Sequence, residues 1–178
     1  MSIRLVSPAY DPDRLHGVAT RILAANMLCS MATTGEHGEA HIHTAFFCYD
    51  DDLALHFLSH PASVHARNIG RSPRIAVAVF AGQQAWGAAH VGLQLFGRCE
   101  QATGNADSAV RERYAARFPL YDEFISGRLT EGGPKPGASF FDLRFYTFRP
   151  EAVKILDELE FGDEVLVTAT VEPAASRA

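Results

Sequence analysis

The chain has 178 residues, 47% of them hydrophobic and 21% charged, with a formal net charge of −5. That length suits one domain with a sizeable core, and that composition excludes disordered and fibrous classes. The acidic balance excludes a general nucleic-acid binder, and no run of about 18 apolar residues is present to cross a membrane.

Asp11, Asp13 and Arg14 interrupt the apolar core that a signal peptide needs, so a cytoplasmic protein is expected. Residues 12–27 read as an amphipathic helix, with Leu15, Val18, Ala19, Ile22, Leu23 and Met27 near 3.6-residue spacing and Asp11 or Asp13 as cap. A strand over Leu28–Thr34 meets the turn Gly35-Glu36-His37-Gly38. The next strand, Glu39–Tyr49, ends at Asp50-Asp51-Asp52, read as a solvated hairpin turn, and a third runs to about Leu58. Ser59–Ile69 crosses to a fourth strand at Arg74–Phe80. Residues 81–88 are a loop and His90–Ala102 a long strand. Asn105–Phe118 is a helix with Ala106, Val110, Tyr114 and Phe118 on one face. Pro119 interrupts, and a helix over Tyr121–Leu129 leads to the Gly/Pro-rich loop Thr130–Gly137, long enough to be mobile. Strands at Ser139–Phe148, Glu151–Leu156 and Glu164–Thr170 complete a single domain, 1–171, with a disordered tail at 172–178. Short strands joined by hairpin turns predict a mainly β fold, a small antiparallel barrel with helices over its ends.

The segment Ser59–Ile69 is the richest in chemistry. A strand end opening into a helix start gathers backbone N–H groups, and Ser63 with Arg67 makes a seat for a phosphate. The same segment also reads as an N-capped surface helix with a solvated arginine. His41 and His43, two apart on one strand, share a face and offer two imidazoles to a metal only if His37 or Glu39 supplies a third ligand. A solvated or cavity-lining pair is the simpler reading, and no metal is assigned. Cys29, Cys48 and Cys99 are odd in number and set in apolar runs, the pattern of buried thiols in a reducing compartment. Neither a Gly-x-Ser-x-Gly elbow nor a phosphate-binding glycine loop occurs.

The order of elements, with Ser63-Val64-His65-Ala66-Arg67-Asn68-Ile69 on a helix and Ser72-Pro73-Arg74-Ile75 entering a strand, resembles the flavin-binding split-barrel superfamily of pyridoxamine 5′-phosphate oxidase. Many members carry Ser-x-Lys-x-Arg-Asn-Leu there, so His65 stands where a lysine is usual. Within the superfamily the chain more closely resembles the YhbP-like subfamily, through Gly92-Leu93-Gln94-Leu95-Phe96-Gly97 and Arg113-Tyr114-Ala115-Ala116-Arg117-Phe118-Pro119. The resemblance implies a split β-barrel, six-stranded, antiparallel and of Greek-key type, with flanking helices. It also implies a homodimer with FMN at the interface. By position, Ser59, Ser63, His65 and Arg67 hold the FMN phosphate. Met31, Ala32, Thr33 and the segment Thr44-Ala45-Phe46 run along the isoalloxazine ring, while Trp86 and Gln94 approach it from the partner subunit. His43, Thr44 and Trp86 are the groups expected at the reactive ring edge. The implied activity is that of a flavin-dependent oxidoreductase acting on a small molecule. True pyridoxamine phosphate oxidase activity is not expected, because Arg144 and Arg149 lack the setting of the family's arginine-rich substrate clamp. Alternatives within the superfamily are haem on an axial imidazole, the deazaflavin F420, or a non-catalytic flavin or haem carrier.

Overall fold

The described elements run β1 (Ile3–Val6), α1 (Pro12–Ala25), β2 (Leu28–Thr34), β3 (Ala40–Tyr49), β4 (Leu55–Ser59), α2 (Val64–Arg71) and β5 (Arg74–Phe80). They continue with β6 (Val91–Gln101), α3 (Asn105–Arg117), α4 (Pro119–Ile125), β7 (Arg144–Asp157), α5 (Glu158–Phe161) and β8 (Leu166–Pro173). They belong to a computed structural model that describes residues 3–126 and 142–173. The expected mobile loop at 130–137 and the tail beyond Pro173 lie outside the described residues.

Hairpin pairing places β2, β3 and β4 side by side, and β5 returns to lie against β2, which is the Greek-key step. β6 follows β5, and β7 pairs with both β6 and β4, closing a six-stranded antiparallel ring. β8 extends the far half of β7, and β1 pairs in turn with β8. Alternate residues point inward, so Met31, Phe47, Phe57, Val77, Leu95 and Val153 fill the barrel, and α1 adds Leu15, Ile22 and Leu23 to the same core. A second cluster, Cys48, Phe145, Val110, Tyr114 and Tyr121, packs α3 and α4 against the outer side of β3, β4 and β7. α1 starts where Asp11 accepts from the Asp13 and Arg14 N–H groups at 3.0 Å each.

Four features depart from the sequence reading. β7 is one strand, not two; Pro150, which donates no hydrogen bond, sits opposite Gly97 where the β6–β7 register shifts. Pro119 begins α4 rather than interrupting, because proline suits a first helical position. β8 runs through Pro173, two residues into the segment read as tail, because Ile3–Val6 supplies a partner strand. The acidic triplet is more than a solvated turn: the Asp50 carboxylate accepts from the Asp52 and Ala54 N–H groups at 3.0 and 2.9 Å.

The barrel is split where β3 outruns its neighbour. β3 and β4 pair only over Phe47–Tyr49, so the far edge of Ala40–Phe46 has no strand partner among the described residues. α2 packs at this end of the barrel, against β2 and β3.

Candidate functional site: a serine–histidine seat at the split end of the barrel

β4 ends at Ser59, whose side chain is buried, and a short turn containing Pro61 leads into α2. Ser63 caps α2 by accepting from the Ala66 N–H at 3.2 Å. A side chain two residues into the helix then meets the end of β4. The Ser59 and Ser63 hydroxyls lie 3.1 Å apart, and His65 Nε2 is 2.5 Å from the first and 3.0 Å from the second. Ser59 and His65 are buried, while Ser63 is half-buried at the mouth. The first turn of α2 brings its backbone N–H groups to the same end. Arg67 follows one turn later, exposed, its guanidinium donating to the Ala62 carbonyl. Three of the four expected phosphate-holding side chains therefore touch one another, and the fourth flanks them.

Behind this triangle stand His41 and His43, both inward on β3. The His43 and His65 rings are stacked with centroids 3.6 Å apart and planes 11° apart; His41 lies parallel to His65 at 6.2 Å. Stacked imidazoles present faces to each other and cannot aim their lone pairs at one ion. Among the described residues no three His, Cys, Asp or Glu side chains are placed to hold a metal. Glu39 instead accepts from the His37 N–H at 3.0 Å. Burial, and then the neighbouring His43 and His41, push the His65 pKa down to about 4. Burial followed by His41 lowers His43 as well. His65 is thus a neutral imidazole near pH 7.

Sequence reasoning missed what holds α2 in place. Asn68, buried, donates to the Thr33 hydroxyl on β2 at 3.1 Å, and Arg71 donates to Asn68 Oδ1 at 2.8 Å and to Glu36 at 2.7 Å. It also missed a polar chain that joins β7 and β4 to the turn after β3. Thr147 Oγ1 is 3.0 Å from His56 Nδ1, and Asp50 Oδ2 is 3.4 Å from His56 Nε2. Neither arrangement carries a local motif, since each joins residues distant in sequence.

The outer face of β3, β2, β5 and β6 is open and carries large exposed apolar side chains among polar ones. Ile42 is 71% exposed, Phe80 53% and Phe46 52%. The Ser30 and Thr44 hydroxyls meet here at 3.2 Å, and Gln94 points outward from β6. One groove of about 490 Å³, lined by Ala32, Thr34, Arg74, Ala76 and Phe96, opens at the α2 end of this face. Another of about 460 Å³, lined by Met27, Ser30, Thr44, Ala78 and Phe80, opens at the opposite end.

The remaining expected site residues divide between the two faces. Met31, Thr33 and Ala45 point inward, and the Met31 backbone lies within a strand paired on both sides. Thr44 and Phe46 point outward on the stretch of β3 whose second edge is open. His43 and Thr44 therefore face opposite sides of β3, and Trp86 is 99% exposed in the loop before β6. One protomer does not bring these three together. The cysteine thiols are buried and free, and burial pushes each up to about 12, so none is a ready nucleophile.

This ring of strands, with α2 packed at its split end, defines the architecture of a split barrel. The chain matches the family model described as pyridoxamine 5′-phosphate oxidase over residues 16–156, and it belongs to that family. Solved structures share the fold. A haem-binding protein from Mycobacterium smegmatis has a TM-score of 0.65 and 17% identity, over 93% of this chain and 59% of that one. An FAD-binding protein from Mesorhizobium loti has 0.56 and 19%, over 86% and 96%. An F420 reductase has 0.54 and 18%, over 83% and 98%. The chain thus spans 59% of the length of the mycobacterial protein. No curated protein matches it.

Proposed function

We propose that this protein binds FMN between two copies of the chain, acts as an oxidoreductase on a small molecule, and falls within the YhbP-like subfamily. The observation that carries this reading is the convergence of Ser59, Ser63 and His65 at the start of α2, with Arg67 beside them. Hydroxyls, helix N–H groups and a guanidinium are the donors that a phosphate of about two negative charges requires. The donor set fits the group. The exposed face carrying Ile42, Phe46 and Phe80 offers the flat apolar wall that a tricyclic ring needs, and the open edge of Thr44–Phe46 offers backbone hydrogen bonds to its rim.

Large apolar side chains grouped on one exposed face mark an interaction surface, and isologous pairing of two copies is the simplest way to cover it. Such pairing also brings Trp86 and Gln94 of one copy toward the other's groove. When bound, the flavin supplies hydride or electron transfer; the residues of this chain hold the phosphate, shield the ring and orient the substrate.

The test is the visible spectrum of purified protein, before and after adding FMN and desalting, together with its mass in solution. Retained flavin bands on a dimer support the reading, and reduction by a nicotinamide donor supports the oxidoreductase part. A colourless monomer that releases all FMN overturns it. The related folds described as haem-binding and as an F420 reductase make two further outcomes informative: a Soret band assigns haem, and retention of F420 alone assigns the deazaflavin.

A further inference from the structure

We propose that the Ser59–Ser63–His65 seat is proton-coupled, so that a phosphate dianion binds there together with one proton taken up by His65. The inference rests on the phosphate reading above and specifies how that site is regulated.

The geometry leaves His65 surrounded by hydrogen-bonding groups without a counter-ion. Its Nε2 touches two hydroxyls and its face lies on His43, yet among the described residues no carboxylate is paired with it. The charged and titratable groups on the packed elements are mostly cationic or already engaged. On α2, Arg67 donates to the Ala62 carbonyl and Arg71 is held by Glu36. In the preceding turn, His60 Nδ1 accepts from the Ala62 N–H at 3.1 Å. β3 contributes His41 and His43. β7 sets Arg144 opposite Ser59 in register. β2 contributes the uncharged Thr33, and β6 turns Arg98 and Glu100 to solvent. An incoming dianion is the missing negative charge.

Protonation also changes which way the hydroxyls point. A neutral His65 with an unprotonated Nε2 draws a hydroxyl proton toward itself, so at least one serine donor is turned inward. Once Nε2 carries a proton it donates to a serine oxygen, and the hydroxyl hydrogen it had drawn inward is freed for an incoming anion. One proton from solvent therefore adds a positive charge and restores a donor in the same step. A lysine, the residue usual at this position, is charged at the outset and has no such step. The stack with His43 limits the uptake to one proton, because two adjacent imidazolium rings repel.

The experiment is calorimetric titration of FMN into the full-length protein at pH 7.5, in two buffers of different ionisation enthalpy, with riboflavin as the phosphate-free control. Uptake approaching one proton per FMN is expected, with affinity falling up to about tenfold per pH unit above neutrality. Riboflavin binding should take up none. His65→Lys should bind FMN without uptake and with a flat pH profile. Tight FMN binding to the wild type without uptake overturns the proposal and leaves the flavin site standing. Undiminished uptake in His65→Lys also overturns it, because the proton then resides elsewhere, on the phosphate for example. FMN held no tighter than riboflavin at any pH, in both proteins, removes the phosphate seat and this proposal with it.

Discussion

Asn68 donates a hydrogen bond to the Thr33 hydroxyl across 3.1 Å, joining the helix that carries the proposed anion seat to the strand beneath it. Both residues are buried, and without Asn68 the Thr33 hydroxyl keeps only its long contact to the His41 carbonyl at 3.5 Å. Asn68→Ala should therefore cost about 1–3 kcal/mol, and lower the melting temperature by roughly 2–4 °C for each kcal/mol. FMN should bind more weakly to this variant, since α2 loses its tether to β2. A melting curve superimposable on the wild type would show that the bond contributes nothing to stability.

Gly97 sits where β6 and β7 shift register, and a Cβ built there lies 2.0 Å from the Arg149 carbonyl oxygen. Backbone cannot swing aside as a side-chain tip can, so Gly97→Ala should cost about 1–3 kcal/mol or more and deplete folded protein. Gly92 is the internal comparison: its nearest contacts, Phe80 Cβ and the Val79 carbonyl oxygen, lie at 3.2 Å, and its alanine variant should lose less. Urea unfolding of both decides the matter. Equal stability of the two variants would contradict the assignment of Gly97 to a backbone clash.

Local signals account for what the sequence made legible. The α1 stripe, the glycine turn between β2 and β3, and the nearness of Ser59, Ser63 and His65 are all readable over a dozen residues. What stayed hidden is long-range. β1 is four residues whose strand identity comes from β8 at the other end of the chain. The pairing of Thr147 with His56 spans 91 positions, and no composition rule announces it. The histidine stack needs both the inward register of β3 and the docking of α2 over it, so His41 and His43 read from sequence only as a same-face pair. The division of His43 and Thr44 between the two faces of β3 was available from strand alternation alone.

Arg67 is exposed and has a single side-chain hydrogen bond to the neighbouring turn, so its removal should leave the fold nearly unchanged. In the proposed role of charged phosphate ligand it should contribute about 1.5–3 kcal/mol, so Arg67→Ala should weaken FMN binding roughly 10–150-fold. Riboflavin affinity should not move. Fluorescence-quenching titrations with both flavins check this, and unchanged FMN affinity would take Arg67 out of the site.

Burial raises the pKa of Asp50, but hydrogen bonds from His56, Ala54 and Asp52 outweigh it and hold the carboxyl below its ordinary 3.8. Because the folded-state value is depressed, the stabilisation is fully present above the unfolded-state value and is lost as pH falls through the folded one. Asp50→Asn should be less stable than wild type by about 1–2 kcal/mol at pH 6. The gap should narrow as pH falls below the ordinary carboxyl value of 3.8, where the unfolded chain takes up the proton before folded Asp50 does. Urea midpoints measured from pH 6 to pH 3 provide the check, and a gap that stays constant would assign the loss to packing.

His65 gives the opposite end of the titration. Its folded-state pKa is depressed from 6.5 to about 4, chiefly by burial and then by His43 and His41. The unfolded chain therefore binds the proton more readily, and stability falls as pH drops below 6.5 until the folded value is reached. Each unit of that difference corresponds to about 1.4 kcal/mol, so wild type should lose about 1–3 kcal/mol across this window through His65. His65→Gln, which cannot titrate, should show a shallower decline between pH 6.5 and 4. Bound FMN should flatten the wild-type curve as well, because a dianion beside the ring favours the imidazolium. A His65→Gln profile parallel to wild type over that range would remove His65 as the source of the slope.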